Sequence, residues 1–313
     1  MDEDRTTPPA TGAHNWLRFS AEVRDAASAG RPIVALESTV IAHGLPRPRN
    51  LEVGRELERI VRGGGAAAAT IAVLDGEVTI GLEPFQIDRI ATEDGVAKLS
   101  TLDLPVAVAR GMSGGTTVAA TARVAHRAGI AVFATGGIGG VHRGRPADIS
   151  ADLMELSRTP IIVVCAGAKS ILDLAATREA LETLGILVIG WRTNRFPAFY
   201  TRDSGMGVDA RADDAAEIAA IWKAHKRTGG TAAMAVCAPV PAEFELDALR
   251  LEAAVATAVR DATSAGIDGK EMTPYLLREI GRVTDGASLE ANVALLRNNA
   301  AIAAEVAREV CGR

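Results

Sequence analysis

A three-layer α/β/α fold with a mixed central sheet and a helical C-terminal portion is what the sequence predicts, and three observations carry that expectation. Short apolar runs of strand length alternate with segments of helical spacing through most of the chain, the order that a largely parallel sheet with crossover helices imposes. The dipeptide Asp75-Gly76 separates two apolar runs, which signals a tight hairpin and so at least one antiparallel pair in the sheet. Beyond "TAAMAVCAPVP" the pattern turns mostly helical to the end. The 313 residues are 48% hydrophobic and 23% charged, enough for a sizeable core. Aromatics are only 4%, so that core must be built from Ala, Val, Leu and Ile.

The elements follow in order. "MDEDRTTPPATGAHN", residues 1–15, is acidic, contains proline and has no apolar signal core; it is expected to be a disordered tail, with residues 16–313 forming a single α/β/α domain. "PIVALES" reads as a strand entering a polar turn. "NLEVGRELERIVRG" has helical spacing with Asn50 as its N-cap. "ATIAVLDGEVTIGL" reads as two hairpin strands. "LPVAVAR", "GIAVFATGG", "TPIIVVCAG" and "GILVIGWRT" read as further apolar strands. Between and after them, "TTVAATARVAHRA", "SADLMELSR" and "SILDLAATREALETL" have helical patterns. There is no internal repeat and no long linker.

Charge and cysteines narrow the function. A net charge of −5 argues against a broad nucleic-acid surface, while leaving room for a local cationic pocket. Cys165, Cys237 and Cys311 lack metal-like spacing and suggest reduced thiols in a cytoplasmic setting. No apolar run is long enough to cross a membrane.

Five stretches carry possible chemistry. In "IIVVCAGAKSILDL", a strand buried on both faces ends in small residues around one cation, Lys169. Such a lysine can simply lean into water. At the carboxyl end of a parallel strand, partly desolvated and with room beside it, it can instead serve as a nucleophile. In "ALESTVIAHGLPRPRN", Glu37 at a strand end is either a surface turn residue or a general acid or base. "RGMSGGTTVAAT" leads glycines and hydroxyls into a helix whose first amides could hold a phosphate, although an ordinary turn has the same pattern. It is not a nucleotide-binding GxxxxGK[ST] loop.

"ATGGIGGVHRGRPADISADL" offers a glycine-rich loop, His142, Arg143 and Arg145 as anion contacts or solvated groups, and Asp148 and Asp152 as helix-dipole acids or ligands for a hard cation. Ser150 is the expected cap of the helix starting near Ala151. In "LEANVALLRNNAAIAAEVA", Asn292, Asn298 and Asn299 are expected to face solvent, unless one reaches a pocket.

These stretches, with "RTNRFPAFY" and "GKEMTPYLL", occur in an order that closely resembles the pseudouridine-5′-phosphate glycosidases, also called the indigoidine synthase A family, from about residue 33 to about residue 308. The ordered set is far more specific than any one motif. The resemblance implies a C-glycosidase or lyase that reversibly cleaves pseudouridine 5′-phosphate to uracil and ribose 5-phosphate in nucleotide catabolism. It implies a divalent cation, typically Mn2+, and a homotrimer. By motif, it makes Lys169 the Schiff-base nucleophile, Glu37 the proton donor and Asp148 the metal ligand. Substrate contacts fall on Lys98, Val118, Ser150, Ala151 and Asp152, with Thr135, His142 and Asn292 lining the same pocket. A lysine-dependent sugar-phosphate aldolase, an α/β/α sugar kinase and a non-enzymatic ligand-binding module are the rival readings.

Overall fold

The computed structural model describes residues 16–312 apart from Asp268, Lys270 and Glu271. The tail expected over residues 1–15 lies outside the described residues, as do Lys270 and Glu271 of "GKEMTPYLL".

One large mixed sheet organises the chain. From edge to edge its main path runs Leu17–Phe19, Glu77–Ile80, Ala67–Leu74, Ile33–Glu37, Val132–Ala134, Ile162–Cys165, Met234–Cys237, Leu187–Trp191 and Ala210–Ala212. The five neighbours from Ile33–Glu37 to Leu187–Trp191 are all parallel. The antiparallel pairing expected at Asp75-Gly76 joins Ala67–Leu74 to Glu77–Ile80. Asp75 and Gly76 have φ of 51° and 80°, the left-handed pair that a two-residue hairpin turn requires.

Every residue of Ala67–Leu74 and of Ile162–Cys165 is buried, so both faces of the sheet are covered. Helix Ala287–Cys311 lies against the strands Ile33–Glu37, Val132–Ala134 and Ile162–Cys165, flanked by helices Arg49–Gly63 and Ala215–Arg227. Helix Val118–Arg127 packs on Ile33–Glu37 and Ala67–Leu74 and carries Ala151–Leu156 beside it.

Two expectations fail at this level. "LPVAVAR" is not a strand but the helix Leu104–Ala109. Pro105 sits in its first turn, where a missing N–H costs nothing, and Leu104 and Ala107 are buried at helical spacing while Val106 and Val108 face outward. Asn50 is not an N-cap; the cap is Pro48, and Asn50 lies inside the helix, donating from Nδ2 to Ile41 O and Ala91 O. The sequence reading also passed over several short strands. Three of them, Leu172–Asp173, Val141–His142 and Arg145–Ile149, form a small antiparallel flap. Strands of two to five residues owe their existence to pairing and carry little pattern of their own.

Candidate active site

Strand order reverses beside Ile33–Glu37. The chain first places Ala67–Leu74 on one side of it and later Val132–Ala134 on the other. The crevice at the carboxyl ends of these two diverging connections is where open α/β sheets take their ligands. Glu37 is the last residue of the first strand, Thr135 follows the second, and Lys169 follows Ile162–Cys165 next door.

Glu37 is only 8% exposed, and the Thr135 hydroxyl donates to its Oε1. Burial raises the pKa of Glu37, and the charge on Asp152 adds to that. The positive charge of Lys169, the Thr135 hydrogen bond and Lys98 pull the other way. The net result is a carboxyl group whose pKa stands above the ordinary glutamate value, next to an amine.

The residue after Glu37 ties the strand end down. Ser38 donates from Oγ to Ile71 O at 2.6 Å and accepts from Thr116 N at 2.9 Å. A Cβ on Gly115 would lie 2.9 Å from Ser38 O, so the strand Gly114–Thr116 approaches this closely only as glycine. Lys98 pairs in register with Gly115, which brings its side chain to the same crevice.

Thr117 caps helix Val118–Arg127 by accepting from Ala120 N. Thr117 N is used by Leu99 O and Ala119 N by Asp152 Oδ1, leaving the Val118 amide without an acceptor among the described residues. That amide, directly after "SGGTT", is what the start of this helix keeps available for a phosphate. Asp152 is a staple: its second oxygen accepts from Gly139 N at 2.8 Å, so one buried carboxylate joins the glycine-rich loop to this helix. Ser150 caps its helix as expected, accepting from Asp152 N.

The turn carrying Lys169 is fixed by backbone. Gly167 takes φ of 78°, Lys169 N donates to Ile138 O, and Lys169 O accepts from Leu172 N. Arg143, one of the two arginines read as anion contacts, is spent here: Nε donates to Leu172 O and Nη2 to Ser170 O, while Nη1 pairs with Glu252. Arg145 is exposed and does not line the crevice. On the flap, His142 Nδ1 lies 3.2 Å from Asp148 Oδ1, and the Asp148 side chain is 37% exposed.

Together these groups enclose a cavity of about 300 Å³. Glu37, Lys98, Val118, His142, Asp148, Ser150, Ala151, Asp152, Lys169 and Asn292 all line it; Thr135, expected there too, does not line it and stands behind Glu37, to which its hydroxyl donates. The sequence reading missed His43, Ser100, Phe199 and Leu277, which also line it. A lone histidine and scattered apolar residues have no spacing that would single them out. Of the C-terminal asparagines, Asn292 reaches the cavity, whereas Asn299 is wholly buried and does not face solvent. Among the described residues no three His, Cys, Asp or Glu side chains cluster as a metal site would need.

The family model described as indigoidine synthase A like protein matches residues 22–309. A protein of Methylobacterium nodulans named pseudouridine-5′-phosphate glycosidase is 52% identical over 94% of this chain and 88% of its own length. One of the same name from Symbiobacterium thermophilum is 50% identical over 93% of this chain and 96% of its own. Two solved structures superpose with a TM-score of 0.88. An indigoidine synthase A-like protein from Thermotoga maritima is 37% identical and covers 95% of this chain and 97% of its own. The prealnumycin C-glycosynthase AlnA, in complex with ribulose 5-phosphate, is 38% identical and covers 95% and 98%.

Proposed function

The chain belongs to the indigoidine synthase A like family, and from that premise and the geometry of the cavity we propose that it is a pseudouridine-5′-phosphate glycosidase, cleaving the C–C glycosidic bond reversibly to uracil and ribose 5-phosphate. The observation that carries the reading is the meeting of Lys169 and a carboxyl group, Glu37, whose burial favours the acid form. A uracil carbon is a poor leaving group, so cleavage needs an electron sink at C1′, and a lysine imine supplies one.

Glu37 gives its proton to the ring oxygen as the C1′–O4′ bond breaks. The Lys169 nitrogen bonds to C1′ and passes a proton back to Glu37. Protonation of uracil C5 by Glu37 follows. The C1′–C5 pair then restores the double bond in the base, and the nitrogen lone pair forms C1′=N. Water hydrolyses that imine to ribose 5-phosphate and frees the amine. Lys98 and the Val118 amide suit the phosphate, whose anchoring holds C1′ at the amine. The AlnA complex with ribulose 5-phosphate supports a pentose phosphate as the class of ligand. An aldolase would release a carbonyl fragment and a kinase would need a nucleotide loop; the family favours neither.

A divalent cation, manganese first, fits only as a hydrated ion resting on Asp148, since no third carboxylate or imidazole joins Asp148 and His142 among the described residues. Bound there, it supplies positive charge to the anionic substrate. A homotrimer is part of the same reading; light scattering tests it. So is a cytoplasmic setting, where three free thiols persist.

Borohydride reduction in the presence of ribose 5-phosphate, followed by peptide mass spectrometry, tests the imine. The sugar is expected on the peptide carrying Lys169. Its appearance on another lysine, or on none, overturns the mechanism.

A further inference from the structure

The C-terminal helix Ala287–Cys311 holds a buried amide that the proposed chemistry does not use. Asn299 is 0% exposed. Its Nδ2 donates to Thr135 O at 2.8 Å and to Gly136 O at 3.3 Å. Its Oδ1 is buried and has no partner among the described residues. An orphaned buried acceptor is destabilising. An apolar residue here would avoid that cost but would leave Thr135 O without its donor, because Gly136 O is also served by Ala166 N whereas Thr135 O has no other donor among the described residues.

The turn that Asn299 grips has little slack. A Cβ on Gly137 would lie 2.6 Å from Phe199 Cδ2, and Thr135 N is already committed to Val164 O. The Thr135 backbone is therefore held from the sheet at its N–H and from the helix at its C=O. The same residue's hydroxyl donates to Glu37.

We propose that Asn299 is a positioning residue for the reaction, holding the Thr135 turn so that the Thr135 hydroxyl stays on Glu37 and keeps the acid aimed into the cavity. This rests on the glycosidase reading only for what Glu37 does, not for how it is held. The charged groups coupled to Glu37 come from three other elements: Lys169 after Ile162–Cys165, Lys98 on Ala97–Leu99 and Asp152 on Ala151–Leu156. His43, His142 and Asp148 line the same cavity. None of them contacts Asn299 by hydrogen bond, so removing the amide leaves their charges in place.

The sign follows. A hydroxyl that donates to a carboxylate favours the charged form. Losing that bond raises the pKa of Glu37 further, and activity that needs the protonated acid then persists to higher pH.

The test is a titration of the ligand-free full-length protein by difference infrared spectroscopy of the carboxyl stretch, with Glu37→Gln to assign the band. Asn299→Ala is expected to move the Glu37 titration to higher pH, in the same direction as Thr135→Val. The double variant should move it no further than Thr135→Val alone, since both changes act through one hydroxyl. In turnover, Asn299→Ala should lower kcat by roughly 10-fold with a smaller change in KM. Asn299→Ser, which leaves a smaller hole and is too short to reach Thr135 O, gives the same readout if the alanine variant does not fold. A folded variant whose Glu37 titrates as in the wild type overturns the proposal, whatever its thermal stability. A shifted titration in a protein that never releases uracil would instead sink the glycosidase reading and leave this role for Asn299 standing.

Discussion

The floor and the roof of the cavity are built on opposite plans. On the floor, Glu37, Thr135 and Asn299 are almost fully buried, stand at the ends of core strands or on the helix behind them, and are joined by direct hydrogen bonds. On the roof, His142 and Asp148 sit on a flap of two- to five-residue strands; their side chains are 18% and 37% exposed, and Ile149 beside them is 51% exposed. A buried carboxyl in a preorganised frame can keep its proton to higher pH than an exposed glutamate and deliver it without reorganisation. A half-exposed carboxylate on short strands can hold a hydrated ion and make room for a substrate. On the proposed reading, the contrast puts the bond-breaking groups in the buried, hydrogen-bonded region and the metal ligand on the short-stranded one.

The comparison breaks most visibly at Lys169. Lys169→Ala should cost roughly 10³-fold or more in kcat while circular dichroism and the melting temperature stay near wild type, because the side chain faces a cavity and the turn is held by backbone. Appreciable uracil release by this variant, read in the ultraviolet, would remove the imine from the floor's chemistry.

Next comes Glu37→Gln, which keeps shape and hydrogen bonding but carries no transferable proton. A fall in kcat of roughly 10²-fold, with KM little changed, is expected. The pH profile sharpens the point. Because burial raises the pKa of Glu37, the wild-type acid is still protonated where an exposed glutamate is already ionised, and kcat should decline only as pH rises through that raised value. The glutamine variant should lack this alkaline limb. A limb that survives the substitution belongs to another group.

Lys98→Ala tests the wall between floor and roof. If its charge meets the phosphate as proposed, it does so in ground and transition states alike, so KM should rise by roughly 10-fold and kcat fall less. Preference for pseudouridine 5′-phosphate over pseudouridine should largely vanish. Undiminished discrimination would move the phosphate away from Lys98.

The smallest effect is expected on the roof itself. Asp148→Asn should lower activity by several-fold at limiting manganese and recover in part as the metal is raised, since water supplies most of the coordination. Wild-type activity unchanged after exhaustive chelation would show that the roof does not work through a metal.

Much of this could be read along the chain because it depends on local pattern. The apolar runs at Ile33–Glu37 and Ile162–Cys165, the Asp-Gly turn and the Ser150 cap each follow from a few neighbouring side chains, and the structure has all four. Failures came where a local pattern admits two outcomes. "LPVAVAR" is as apolar as a strand, and only its proline and the burial of Leu104 and Ala107 make it a helix. Arg143 looks like an anion contact until the flap folds it onto the carbonyls of Ser170 and Leu172.

By itself, then, the sequence determined that strands and helices alternate, that one pair is antiparallel, and that Glu37 and Lys169 stand at strand ends among residues small enough to leave space. Tertiary structure alone decided that those two ends are separated by a single strand, that Asp152 is consumed by the amides of Ala119 and Gly139, and that Asn299, 164 residues along the chain from Thr135, supports its backbone. The reason is physical. Periodicity and turn chemistry act over a few residues, whereas burial, and with it the raised pKa of Glu37, exists only once strands distant in sequence have packed together and excluded water.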